Sequence, residues 1–485
     1  MEGLIVDNFA GGGGASSGLE DALGRPANIA VNHSPAAIAM HKANHPHTRH
    51  YQEDVWAVDP REACGSQKVA VAWFSPDCTH FSKAKGGQPR SKEVRCLADV
   101  VIRWAREVRP CIVFLENVEE FLTWGPLSDE GHPIKGREGE DFRAWRAKLV
   151  ELGYRVEHRT IVAADHGTPT TRKRLFLVAR CDGRPIVWPD ATHGPGRGRP
   201  YRTAAEIIDW SLPCPSIFDR KRPLAEATLR RIAAGVRRYV LEAARPFIVP
   251  LTHQGNTERV YSIDAPLRTV TAANRGELAL ISPTLVTTGY GEREGQAPRV
   301  PGLDKPLGTV VAGGQKHALV ATFLAKHYGG VVGHGLERPV GAVTSKDHHS
   351  LVAAQLELPS VGTMGAMGHA AEVSAFLVKY YGADGAPTSQ QSLFDPLHTV
   401  TTKARFGLVT IRGVAYQITD IGMRMLAPRE LFNAQGFRPD YIIDPELGGR
   451  RLTKTEQIEC AGNSVCPKVA RAIVHANVYQ RAVAA

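Results

Sequence analysis

The sequence predicts an α/β fold: a mostly parallel sheet flanked by helices, interrupted by a large β-rich insertion. Three observations predict it. Over the first 180 residues, short apolar runs alternate with amphipathic stretches. A glycine-rich turn, Gly11 to Gly14, follows the first apolar run, where a parallel strand end usually meets a ligand. Composition then shifts near residue 190, and a short proline-containing repeat begins near 247.

In chain order, Leu4–Phe9, Ala27–Val31, Val69–Phe74, Cys111–Glu116 and Leu175–Ala179 read as strands, being short, apolar and bounded by turn residues. A helix follows the glycine turn, and helical spacing recurs over Leu97–Val108 and Phe142–Leu152. The strand Arg174–Ala179 closes this block. Residues Thr192 to Pro200 form a loop with no core-forming pattern. An arginine-rich helix is expected over Leu224–Ala243.

The repeat reads Pro266-Leu267-Arg268-Thr269-Val270-Thr271, and recurs from Pro306, Pro339 and Pro396. A leucine follows each unit at 278, 319, 351 and 408. Each unit reads as two short strands joined by a polar turn. The irregular spacing argues against a propeller or solenoid. After residue 415 the α/β style returns. Pro428 stands at an early helix position, where proline is tolerated, and a last helix is expected over Pro467–Tyr479.

The bulk properties narrow the function. At 485 residues the chain has room for two domains, or for one with an insertion. No apolar run reaches the ~18 residues of a membrane span. The start, Met1 to Asp7, lacks a basic region and reads as a strand rather than a signal peptide. None of the eight cysteines forms a C-x-x-C pair, so no metal is expected and a reducing, cytoplasmic setting fits. Of the net charge of +10, residues 191–414 carry +8, with 25 Lys+Arg against 17 Asp+Glu. That points the insertion toward phosphates.

Cys78 and Glu116 carry the chemistry. Cys78 lies just beyond the strand Val69–Phe74, in a polar, basic, glycine-rich loop. A lone cysteine is ordinarily a small buried hydrophobe. Cations nearby instead favour the reactive thiolate. Glu116 ends an apolar strand, and a partly desolvated carboxyl there suits proton transfer. A thiol and a carboxyl from neighbouring strand ends can attack and protonate an electron-poor ring, and cytosine is the obvious candidate. Arg172 and Arg174 lie on one face of a strand, suited to a carboxylate, a phosphate or a base carbonyl. Asp54 can accept a hydrogen bond from an exocyclic amine such as that of adenine.

Taken in order, these segments resemble the DNA (cytosine-5) methyltransferases over about residues 1–190 and 415–485. Phe9, Gly11 and Gly13 match that family's F-x-G-x-G; Cys78 matches its Pro-Cys nucleophile; Glu116-Asn117-Val118 is its E-N-V. Arg172 and Arg174 match its Q-x-R-x-R, Arg429-Glu430 with Gln435-Gly436-Phe437 its late R-E…Q-G-F, and Gly462-Asn463-Ser464-Val465 its G-N-x-V. The resemblance implies a class I methyltransferase, Rossmann-like catalytic domain over 1–190, completed by 415–485, with 191–414 inserted as a β-rich target recognition domain. It implies S-adenosylmethionine as cofactor, held by Phe9, Gly11, Gly13 and Gly14, with Asn32, Asp54, Val55, Pro76, Leu97, Asn463 and Ser464 lining the pocket. Cys78 would attack C6 of a flipped cytosine while Glu116 protonates N3, with Arg172 and Arg174 beside them.

Double-stranded DNA is the implied partner. Ser82, Lys83 and Lys85 would meet it from the loop after Cys78, and Arg275, Lys316, Lys346, Lys403 and Arg405 from the repeat turns. The turns can equally well scaffold the insertion. A cognate restriction endonuclease is a further partner such enzymes have, and a monomer in a bacterial or phage-infected cell is expected.

Three positions depart from the family pattern. Asp77 stands between Pro76 and Cys78, Asn32 replaces the acidic residue for the cofactor ribose, and Thr170 replaces the glutamine of Q-x-R-x-R. The S-P-D-C form resembles a phage- and prophage-associated branch. Two other functions remain compatible with the sequence: a catalytically decayed DNA-binding protein, and an RNA cytosine methyltransferase. A dehydrogenase fits poorly, because Asn32 stands where a dinucleotide site needs an acid.

Overall fold

The computed structural model describes residues 2–76, 96–128, 133–209, 211–213, 215–224 and 414–479, with residues 229 and 232 and the backbone of strands between 247 and 411. Seven strands form the principal sheet: β1 (Leu4–Asn8), β2 (Ile29–Val31), β3 (Arg49–Tyr51), β4 (Val69–Phe74), β5 (Ile112–Asn117), β6 (Arg155–Val162) and β7 (Lys173–Arg180). Their order is β3-β2-β1-β4-β5-β7-β6. Strands β1 to β5 run parallel, whereas β7 is antiparallel to both β5 and β6. The expected mostly parallel sheet therefore carries a reversed strand. Its cause is the link between β6 and β7, residues 163–172, which holds no crossover helix, so the two strands can only pair antiparallel.

Helices α1 (Gly14–Leu23), α2 (Pro35–Asn44), α3 (Pro60–Cys64), α4 (Asp99–Glu107) and α5 (Glu140–Glu151) connect the strands. After the insertion come α6 (Pro428–Gln435), α7 (Lys454–Asn463) and α8 (Pro467–Val478). Two apolar layers sandwich the sheet. One gathers Trp104 of α4 and Trp145 of α5 against Val113 and Leu115. The other gathers Leu19 of α1 and Ile473 of α8 against Ile5 and Val71, with Trp73 stacked on Phe114 at 5.6 Å. Because both faces are covered, the central strands are apolar up to their C-terminal ends, where Asp7-Asn8 and Glu116-Asn117 stand. That is why they are legible in the sequence.

Strands lie beside the four leucines of the repeat. Leu278 precedes β8 (Ala279–Thr287), Leu319 lies in β9 (His317–Lys326), Leu351 in β10 (His349–Glu357), and Leu408 opens β11 (Leu408–Ile411). These join β12 (Val414–Met425) in one antiparallel array. The first strand of each unit, the polar turns, and nearly all of Leu224–Ala243 lie outside the described residues. No described helix is long and apolar enough to cross a membrane.

Candidate active site

Strands β1 to β5 end at one edge of the sheet, and the candidate site residues collect there. At the end of β1 the chain turns through Phe9 (φ 61°), Gly11 (φ 52°) and Gly13 (φ 92°). Phe9 thus leaves the strand expected for it. Its left-handed backbone costs about 1–2 kcal/mol for a residue with a Cβ, which marks the turn as tightly determined. The glycines were expected to admit a cofactor. At Gly13 and Gly14 the space of the missing Cβ is instead taken by the protein: by Tyr441 Oη and the His45 ring at Gly13, and by the Val465 carbonyl at Gly14. Only Gly11 keeps that side open, with no atom nearer than the Phe9 carbonyl at 3.8 Å. Tyr441 Oη also donates to the Gly12 carbonyl at 2.6 Å.

Beneath the turn lies a buried polar chain. Ser16 Oγ donates to Asp7 Oδ2 at 2.7 Å, His41 Nε2 meets Ser16 Oγ at 2.9 Å, and His41 Nδ1 meets His50 Nε2 at 2.8 Å. Burial pushes the Asp7 carboxyl up to about 7 and holds His41 well below the usual histidine range. Sequence reasoning missed this chain, since His41 and His50 sit in no motif.

The remaining cofactor candidates line the same edge. Asn32 Oδ1 accepts from the Ser34 amide at 2.8 Å, and so helps open α2. Exposed Asp54 accepts from the Trp56 amide through Oδ1 at 2.8 Å. Val55 and Pro76 are buried, and Leu97 packs on the core. Ser464 Oγ is spent on the Cys460 carbonyl at 2.7 Å, while Asn463 is exposed.

Glu116 lies at the end of β5, 7% exposed, opposite Phe176 of β7. Arg174 Nε approaches its Oε1 at 3.2 Å and Arg172 Nη2 at 3.7 Å. Of the three partners open to these arginines in the sequence, the structure places a carboxylate beside them. The 3.2 Å contact is an ion pair without hydrogen-bond alignment, because Oε1 has no bonded donor. Arg172 also donates to the Gly462 carbonyl at 3.0 Å. Asn117 donates to the Pro76 carbonyl at 3.4 Å and accepts from the Val118 amide at 2.8 Å.

A narrow cleft between β7 and α8 is lined by Glu116, Arg172, Arg174, Val465 and Cys466. Cys466 Sγ donates to Gln435 Oε1 at 3.2 Å, and Gln435 Nε2 donates to the Ala461 carbonyl at 2.9 Å. Burial pushes the Cys466 thiol up to about 12, so it stays protonated. Neither Cys466 nor Gln435 was assigned a role from sequence. Their only signal is adjacency to the G-N-x-V and Q-G-F segments. Glu430 of the R-E pair is structural: it pairs with Arg424 at 2.8 Å and accepts from the Asp209 amide. A wider concavity between α2 and residues 440–451 holds none of the candidate residues.

Cys78, Asp77, Ser82, Lys83, Lys85, Arg275, Lys316, Lys346, Lys403 and Arg405 lie outside the described residues.

Residues 4–195 match a family described as C-5 cytosine-specific DNA methylase. Type II methyltransferase M.SacI of Streptomyces achromogenes is 27% identical over 215 residues, which is 39% of this chain and 50% of that protein. M.AgeI of Thalassovita gelatinovora is 31% identical over 198 residues, or 40% and 43%. The chain thus spans about half the length of these curated relatives. M.AquIA of Picosynechococcus is 25% identical over 224 residues, or 43% of this chain and 88% of that one. A crystal structure described as a DNA modification methyltransferase encoded within an E. coli prophage aligns with TM-score 0.42 and 17% identity, over 97% of each chain.

Cytosine-5 methylases of this family use S-adenosylmethionine as methyl donor. The sheet edge fits such a ligand. The Asn8 carboxamide and Asp7 Oδ1 are buried without hydrogen-bond partners at the end of β1, and buried polar groups normally have them. Asn32 and Asp54 follow β2 and β3 along the same edge.

Proposed function

We propose that the protein transfers a methyl group from S-adenosylmethionine to C5 of a cytosine swung out of duplex DNA, through a covalent bond between Cys78 and C6. One observation carries the reading. The hydrogen bond from Asn117 to the Pro76 carbonyl ties the strand end leading to Cys78 to the strand end bearing Glu116. Attack and protonation need both groups beside one ring, which must first leave the stack.

In this reading the Cys78 thiolate bonds to C6. The displaced electron pair moves through the ring to N3, which takes a proton from Glu116. C5 is then nucleophilic. S-adenosylmethionine supplies the methyl group there. Solvent water takes the C5 proton, which restores the C5–C6 double bond and expels the Cys78 thiolate, and N3 returns its proton to Glu116. Arg172 and Arg174 orient Glu116 throughout. We assign the cofactor to Phe9, Gly11, Asn32 and Asp54, with Gly13, Gly14, Val55 and Ser464 shaping the wall. Residues 1–190 and 415–485 form the catalytic body, and 191–414 the target recognition insertion. The S-P-D-C segment assigns the chain to a phage-associated branch.

The test uses tritiated S-adenosylmethionine and unmethylated genomic DNA. Wild type should label cytosine C5, and Cys78→Ser should abolish the label while still binding cofactor. Absence of Cys78-dependent label would overturn the reading. Transfer to tRNA in preference to duplex DNA would overturn its substrate.

A further inference from the structure

We infer that residues 192–202 form a preorganised arginine loop that grips the duplex backbone with Arg197 and Arg199. The inference rests on the DNA substrate proposed above, and goes beyond it in assigning a contact surface outside the flipped base.

The sequence reads this stretch as a loop without a core pattern, yet it is fixed at many points. The Asp165 carbonyl accepts from the Thr192 amide at 2.8 Å and the His193 amide at 3.1 Å. Asp165 Oδ1 accepts from Tyr201 Oη at 2.9 Å. Within the loop, the Gly194 amide donates to the Arg199 carbonyl at 2.9 Å and the Arg197 amide to the Gly194 carbonyl at 3.1 Å. Gly194 has φ 118° and lies flat on the Tyr201 ring, where a Cβ would stand 2.7 Å from it. Both ends of the loop are therefore pinned to one residue, Asp165, and its tip is ordered without a hydrophobic core.

Asp165 lies between β6 and β7, in the connection that leads directly to Arg172 and Arg174. Residue Val162 pairs with Lys173, two positions from the pairing of Leu175 with Asn117. The loop is thus anchored at the sheet edge that holds Glu116. Arg197 and Arg199 are exposed and have no ion pair among the described residues. By contrast, exposed Arg137, Arg155, Arg450 and Arg451 are each matched to a carboxylate within 2.9 Å. The surroundings are cationic as well. Lys468, bonded to the Gly167 carbonyl at 2.9 Å, is held below its ordinary range by burial and by Arg202 and Arg471. His193 is lowered by burial and by Arg199, Lys468 and Arg202. Glu206 partly offsets this through its pair with Arg202 at 2.9 Å.

A solvated charge cluster gains nothing from being rigid. Two unpaired guanidiniums on a pinned loop, beside the edge where the base is processed, suit phosphates flanking it, since ordering entropy is already spent. Each phosphate neutralised steepens the salt dependence of duplex binding by about 0.9 in log–log slope.

The test compares wild type, Arg197→Ala/Arg199→Ala, and a charge-matched control, Arg106→Ala/Arg155→Ala, which sits at the opposite sheet edge. Binding of a 30-base-pair duplex is followed from 50 to 200 mM salt, and methylation of genomic DNA is measured in parallel. The loop variant should show a slope shallower by about 2, so that it loses about tenfold less affinity than wild type across that range. Its KM for DNA should rise with kcat unchanged, and the control should match wild type. An unchanged slope in the loop variant, or an equal change in the control, overturns the inference. Failure of wild type to methylate cytosine overturns the proposed function instead, while the slope still decides the loop.

Discussion

At the residue scale, Asp7 is the most informative side chain in the described structure. It is fully buried, shares one hydrogen bond with Ser16, and its carboxyl is pushed up to about 7. The folded state therefore holds this proton more tightly than the unfolded chain does. Its contribution is full below about pH 4 and is lost as pH rises toward 7. Relative to Asp7→Asn, wild type should lose up to about 1.4 kcal/mol of stability per pH unit across that window, and nothing further above it. Urea unfolding of both proteins at a series of pH values checks this; parallel curves would refute it. The sequence makes Asp7 visible only as the residue before a motif. Its burial depends on α1 and α2 closing over it, which no local pattern records.

At the element scale, what was legible follows from burial. Strand Val69–Phe74, covered on both faces, is apolar at every position, and its expected and observed bounds coincide. Strand β3, Arg-His-Tyr, is three residues long and carries no such run. Strand β6 sits at the sheet edge, with Arg155, His158 and Arg159 exposed, and so reads as neither helix nor strand. Missing β6 also hid the reversal of β7. The candidate site was legible where motif residues meet, as at Glu116, Arg172 and Arg174. Cys466 and Gln435 were not, because their contact joins segments 31 residues apart. Asn117 is the hinge of this scale, tying β5 to the exit of β4. Asn117→Ala should lower kcat at least tenfold with KM for DNA nearly unchanged, since it misplaces reacting groups rather than substrate. Steady-state kinetics read this directly. A rise in KM alone would assign Asn117 to binding.

At the scale of the whole molecule, helix α8, which follows the insertion, packs directly on helix α1. Gly18 of α1 faces α8 so closely that a Cβ there would stand 2.5 Å from Ala470 Cβ and from the Pro467 carbonyl. Replacing an interior helix glycine with alanine ordinarily stabilises by about 0.5–1 kcal/mol. Here the sign should reverse. Gly18→Ala is expected to cost about 1–2 kcal/mol through overpacking, read as a lower midpoint in thermal or urea unfolding. A stabilised variant would mean that α8 does not sit against α1.

The bond from Tyr441 to the Gly12 carbonyl spans 429 positions, and that from Arg172 to the Gly462 carbonyl spans 290. A ribosome adds roughly 5–20 residues per second, so the glycine turn waits on the order of tens of seconds before its covering residues have been made. Until then the turn and the buried Asp7 are open to water. A nascent or prematurely terminated chain would thus carry Cys78 and Glu116 without the packing that sets the turn. The proposed activity would wait until Tyr441 and Gly462 have been made, whatever the rate at which the earlier strands assemble.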